Sequence, residues 1–216
     1  MKKTKKNNTT ELVFIIDRSG SMSGFEADTI GGFNSTLEKQ RELEGEVLVT
    51  TVLFNGQSVT IHDRLPIDKV AKMTDTDYIP GGMTAMLDAV GSTINHIKMI
   101  HKYARPADVP AHTLFVITTD GLDNVSHKYS KTDIKKLIGE QTEKCGWEFI
   151  FLGANIDAVS AAEDIGIRRE RAAQYQQSTE GIDACFSATS DFLCYMRADT
   201  LDSDDDRWKS KLERRK

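Results

Sequence analysis

Two apolar runs, each closed by an aspartate in a small-residue loop, constrain this chain more than any other feature. Leu12-Val13-Phe14-Ile15-Ile16 leads into Asp17-Arg18-Ser19-Gly20-Ser21, and Leu114-Phe115-Val116-Ile117 leads into Thr118-Thr119-Asp120-Gly121. A short, wholly apolar, β-branched run reads as a strand buried on both faces, as in parallel sheets covered by helices. The segments between and after these runs have helical character. A helix is expected from about 25 to 43, with Ile30, Phe33 and Leu37 on one stripe, and others near 85–102, 131–144, 158–164 and 179–197. Gly31 and Gly32 are poor helix formers, and close approach to a neighbouring element would account for them. Ser130 is placed to cap its helix and Gly146 to end it.

Further strands are expected over 47–54, 148–152 and 172–176, with Asn55-Gly56 as a tight hairpin turn into an antiparallel strand over 59–64. The alternation predicts a doubly wound α/β domain. Its sheet would hold about six strands, mostly parallel, one of them an antiparallel edge strand, with helices on both faces. The expected organisation is a basic flexible N-terminus (1–10), a single domain (11–198) and a charged C-terminal tail (199–216) that frays beyond Asp202.

Charge and cysteine usage exclude several functions. The net charge is −5, yet the first ten residues carry four lysines and the tail is neutral, so the body carries −9. A body this acidic argues against nucleic acid as a partner, because phosphate neutralisation needs clustered Lys and Arg. No apolar run is long enough to span a membrane. The apolar stretch after the N-terminal lysines ends at Asp17, too soon for a signal peptide. Cys145, Cys185 and Cys194 are odd in number and lack C-x-x-C spacing, as expected of reduced thiols in a cytoplasm.

In a doubly wound sheet, ligands gather beyond the carboxyl ends of the strands where the strand order reverses. Asp17 and Asp120 would stand at such ends, and a third loop, Gly81-Gly82-Met83-Thr84, opens the helix near 85. Two carboxylates with the hydroxyls of Ser19, Ser21 and Thr84 form an all-oxygen set suited to a hard cation: Mg²⁺, or alternatively Mn²⁺ or Ca²⁺. Each part alone has a plainer reading. Asp and Ser commonly cap helices and fold turns, and Thr84 could serve as an N-cap.

Together these residues resemble the metal-ion-dependent adhesion site of von Willebrand factor A domains. The D-x-S-x-S pattern falls on Asp17, Ser19 and Ser21, the loop threonine on Thr84 and the T-D-G aspartate on Asp120, in the family's order. The resemblance covers residues 11–198 and points to the intracellular stand-alone type. It implies that Ser19 and Ser21 ligate the metal directly. Thr84 and Asp120 would exchange between direct and water-mediated ligation, and Asp17 would act partly by holding hydroxyls and waters. It further implies a protein partner that offers a Glu or Asp to the metal.

The alternatives are a metal-dependent hydrolase of phosphatase type and a structural domain whose site is vestigial. Ser19 stands where haloacid-dehalogenase phosphatases need a second carboxylate, no phosphate-binding loop is present, and no general base is tied to the metal loops. His96, His101, His127 and Trp147 are expected to serve as surface or packing residues, and Asp123 and Asn124 to lie on the rim of the site.

Overall fold

The computed structural model of the chain describes residues 8–202 and 204–213. Of the expected flexible N-terminus, positions 1–7 lie outside the described residues, and Thr10 already belongs to the first strand. Among the described residues a six-stranded sheet runs in the order β3-β2-β1-β4-β5-β6. Its strands are β1 (Thr10–Asp17), β2 (Val47–Phe54), β3 (Ser58–Pro66), β4 (His112–Thr119), β5 (Glu148–Ala154) and β6 (Ala172–Tyr175). All neighbours pair in parallel except β2 and β3, so β3 is the antiparallel edge strand that the hairpin reading anticipated.

Helices cover both faces. α1 (Glu26–Arg41) and α5 (Thr179–Arg197) lie on one side; α2 (Met86–Tyr103), α3 (Lys131–Cys145) and the short α4 (Ala158–Asp164) lie on the other. The period-two geometry of a strand divides each apolar run between these layers. Leu12, Phe14 and Ile16 join Leu114 and Val116 in the α1/α5 layer, whereas Val13 and Ile15 join Phe115 and Ile117 in the α2/α3 layer. Ser130 caps α3 with a reciprocal Asp133 capping box, and Gly146 ends it in the left-handed conformation.

Three local expectations need correction. The hairpin loop is Asn55-Gly56-Gln57, not a two-residue turn, since Phe54 pairs with Ser58. Asn55 is diverted to hold a distant loop. Of the two glycines in α1, only Gly32 is explained by close approach: a Cβ there would lie 2.2 Å from the Phe186 ring, while one at Gly31 would meet open space.

The described residues beyond Asp202 also do not fray. Trp208 and Leu212, in a 3-10 turn (Arg207–Lys209) and α6 (Ser210–Glu213), are buried against the α1/α5 layer. The buried Arg171 ties this segment down by donating to the backbone carbonyls of Asp202 (3.0 Å) and Asp205 (2.9 Å).

Candidate metal centre

The order 3-2-1-4-5-6 reverses between β1 and β4. Asp17 is the last residue of β1, and Asp120 directly follows the last residue of β4, so both carboxylates stand at the switch point. A carboxylate at the end of a buried strand needs donors, and local backbone supplies the first. The Ser19 amide donates to Asp17 Oδ1 at 2.7 Å, turning the chain out of the strand. The Thr119 hydroxyl, across the β1–β4 seam, donates to Asp17 Oδ2 at 2.6 Å. Buried Tyr78 donates to the Asp17 carbonyl at 2.6 Å.

The turn brings the two serines to one side. Ser19 Oγ and Ser21 Oγ lie 3.2 Å apart, and Ser21 Oγ donates to Asp120 Oδ1 at 2.7 Å. Asp17, Ser19 and Asp120 are buried, whereas Ser21 is exposed, so the cluster opens to solvent on the Ser21 side.

The Thr84 loop is laced to this cluster through backbone atoms. Gly20 N donates to Gly82 O (3.0 Å) and Gly81 N to Arg18 O (2.9 Å). Gly82 has φ +77°, a conformation that favours glycine, and it turns its carbonyl toward Gly20. Asn55 holds the loop from the other side, its amide donating to Gly81 O (2.8 Å) and its carbonyl accepting from Ala85 N (2.7 Å).

Thr84 itself is buried, and it is not the helix cap: Ala85 is the residue before α2. The first turn of α2 is capped instead from the loop after β4, where Asp123 Oδ2 accepts from Leu87 N and Ser126 Oγ accepts from Asp88 N, both at 3.0 Å. Asn124 pairs with Thr84 in both directions, Oδ1 accepting from Thr84 N and its own N–H donating to Thr84 O. Asp123 and Asn124 thus fasten the Asp120 and Thr84 loops together. The Thr84 hydroxyl takes no part in the hydrogen bonds of the cluster among the described residues.

Gln177, in the loop between β6 and α5, escaped the sequence reading. Its amide nitrogen donates to Asp120 Oδ2 (2.7 Å) and to the Ser21 carbonyl (2.8 Å), while its oxygen accepts from Asn155, at the end of β5. Nothing in the surrounding Tyr-Gln-Gln-Ser-Thr sequence marks it, because its role exists only once loops up to 156 positions of chain apart are side by side.

Burial raises the Asp17 carboxyl above its ordinary value; the hydrogen bonds from Thr119 and Ser19 counter this in part, and the Asp120 charge adds to it. Among the described residues neither Asp17 nor Asp120 is ion-paired with a Lys, Arg or His. Buried like charges of this kind call for a compensating positive charge, and hydroxyl and carboxylate oxygens are the donors a hard cation takes. Among the described residues no three His, Cys, Asp or Glu side chains gather as a soft-metal site would require. The donor chemistry therefore fits Mg²⁺, Mn²⁺ or Ca²⁺ rather than a thiolate- or imidazole-bound metal.

No family model and no curated protein matches the sequence. Solved structures do. Proximal thread matrix protein 1 from the mussel byssus, solved with a zinc-occupied MIDAS motif, superposes with a TM-score of 0.58 at 16% identity, over 86% of this chain and 46% of that one. A von Willebrand factor type A protein from Catenulispora acidiphila gives 0.57 at 16% identity, over 84% and 42%. The manganese-loaded TRAP protein of Plasmodium vivax gives 0.57 at 16% identity, over 83% and 72%. The chain spans less than half the length of the first two. The shared architecture is the von Willebrand factor A fold.

Proposed function

Taking the von Willebrand factor A fold as the premise, we propose that the loop face of this chain is a divalent-cation-dependent protein-binding surface. Asp17, Ser19, Ser21, Thr84 and Asp120 would hold one Mg²⁺, with Mn²⁺ or Ca²⁺ as substitutes. A Glu or Asp of the partner would complete the coordination. The observation that carries this reading is the pair of buried carboxylates at the strand switch point, set among hydroxyls and without a basic partner. When bound, the cation supplies positive charge and a coordination position for an outside carboxylate. Ser19 and Ser21 offer direct ligands, Thr84 and Asp120 direct or water-bridged ones, and Asp17 holds the Ser19 loop in place by accepting a hydrogen bond from the Ser19 backbone N–H.

The rim of the site supports a protein as the ligand. Ile79, Met83 and Leu122, in the two loops that flank the carboxylates, are 62%, 54% and 59% exposed. Apolar side chains collected around a polar centre suit a protein interface better than they suit water. The partner segment would therefore place apolar residues beside its acidic one. A binding role is favoured over catalysis because, among the described residues, no Lys, Arg or His is bonded to either carboxylate or to the serine hydroxyls to serve as an acid or base. The setting we assign is the cytoplasm, where the three free cysteines stay reduced. No helix among the described residues is long and apolar enough to cross a membrane.

Thermal unfolding with Mg²⁺ or Mn²⁺ tests the metal half. An ion at ten times its dissociation constant should stabilise the chain by about 1.4 kcal/mol, and Asp120→Ala should abolish the gain. A wild type that ignores both ions reduces the site to a structural relic. For the partner half, a protein retained from native cytosol should be released by chelator and should not bind Asp120→Ala; substituting its acidic residue should then abolish retention.

A further inference from the structure

We propose that Gln177 is a positioning residue of the metal centre, fixing Asp120 so that one of its oxygens faces the serine hydroxyls. The inference rests on the metal reading above and extends it to a loop that contributes none of the five motif residues. Asp120 divides its two oxygens between different partners: Oδ1 accepts from Ser21 Oγ, and Oδ2 accepts from Gln177 Nε2, each at 2.7 Å. Rotation of the carboxylate would exchange these oxygens, and the Gln177 bond opposes that rotation.

The same amide nitrogen donates its second proton to the Ser21 carbonyl at 2.8 Å, so one side chain ties together the loops carrying Ser21 and Asp120. The orientation of the amide is dictated by its surroundings. A flipped amide would bring its oxygen against a carboxylate and a carbonyl, and its nitrogen against the Asn155 donor. Asn155 has φ +55°, in the left-handed region that asparagine tolerates better than most residues, and its side chain donates to Gln177 Oε1.

The consequence is that ends of β1, β4, β5 and β6 all converge on the site, although only the first two carry its carboxylates. Gln177 needs no contact with the ion to influence it. By holding the outer oxygen of Asp120 it removes one motion that ligation would otherwise have to arrest. Partners of this kind, bonded to a ligand rather than to the metal, commonly set affinity by factors of about 10 to 100.

The test compares the full chain with Gln177→Met, Gln177→Ala and Asn155→Gly. Methionine keeps the length of the side chain but cannot donate, and glycine accepts the positive φ at position 155. Each protein is titrated calorimetrically with Mn²⁺ and melted separately in chelator. Gln177→Met and Gln177→Ala should both weaken Mn²⁺ binding by about 10- to 100-fold, and Asn155→Gly by less, with melting in chelator nearly unchanged. Wild-type affinity in Gln177→Met would overturn the proposal while leaving the metal reading intact. A wild type that binds no Mn²⁺ overturns both. Loss of affinity accompanied by a matching collapse of melting in chelator would assign Gln177 to the fold alone and also overturn the proposal.

Discussion

A carboxylate buried as deeply as Asp17 must find donors for both oxygens, and it finds one two residues ahead and another across the sheet. His62 meets the same demand differently. It lies buried on β3, parallel to the Phe33 ring at 6.3 Å, with Nδ1 3.1 Å from Thr51 Oγ1. Burial lowers its pKa; the nearby Asp77 charge and an Ala71 backbone contact oppose this without reversing it. The folded state therefore binds the proton less readily than the unfolded chain, whose imidazole titrates near 6.5. Stability should be full above that pH and decline below it. Urea unfolding from pH 8 to 5 should show the decline, with a smaller slope in His62→Phe, which keeps the stack. The residues legible from sequence at this scale were those whose neighbours lie nearby in the chain. Asp17, Ser19 and Ser21 occupy one turn and betray it by spacing, whereas Gln177 and Asn155 acquire meaning only from contacts between loops.

Among the elements, α1 holds a controlled comparison. Gly31 and Gly32 are adjacent and equally poor helix formers, but only Gly32 faces a neighbour, the Phe186 ring on α5. Gly31→Ala should stabilise the chain by about 0.5–1 kcal/mol through the helix term alone. Gly32→Ala should instead cost about 1–3 kcal/mol, as overpacking of a helix contact does. Chemical denaturation of both variants separates the two; a gain at position 32 would mean that Phe186 yields freely. α2 teaches a related lesson. Its position was legible from apolar periodicity, yet its capping groups, Asp123 and Ser126, come from 36 and 38 residues away, beyond the reach of local signals. The three-residue hairpin loop has the same cause, since Asn55 serves the Gly81 carbonyl.

The layered architecture of the whole molecule was legible because apolar runs of strand length, separated by helical stripes, have few other ways to bury themselves. The C-terminal segment was not. Its two anchors, Trp208 and Leu212, are four residues apart among many charges, too brief a stripe to register as periodicity. Yet Trp208 is fully buried, packs edge-on against Phe192 at 5.5 Å and donates its indole N–H to Glu170 O. Trp208→Ala should cost about 3–5 kcal/mol, measured by the urea midpoint. A loss below about 1 kcal/mol would show that the segment adheres without contributing to the core.

The backbone lacing between the Arg18–Gly20 and Gly81–Gly82 stretches spends only main-chain atoms, and it leaves Ile79, Met83 and Leu122 projecting outward with no bond of the cluster depending on them. The carboxylate cluster and the apolar rim are therefore separable in space. On the proposed binding role, substitution at those three positions would redirect the choice of partner without dismantling the carboxylate cluster beneath, which leaves this end of the molecule open to redesign one side chain at a time.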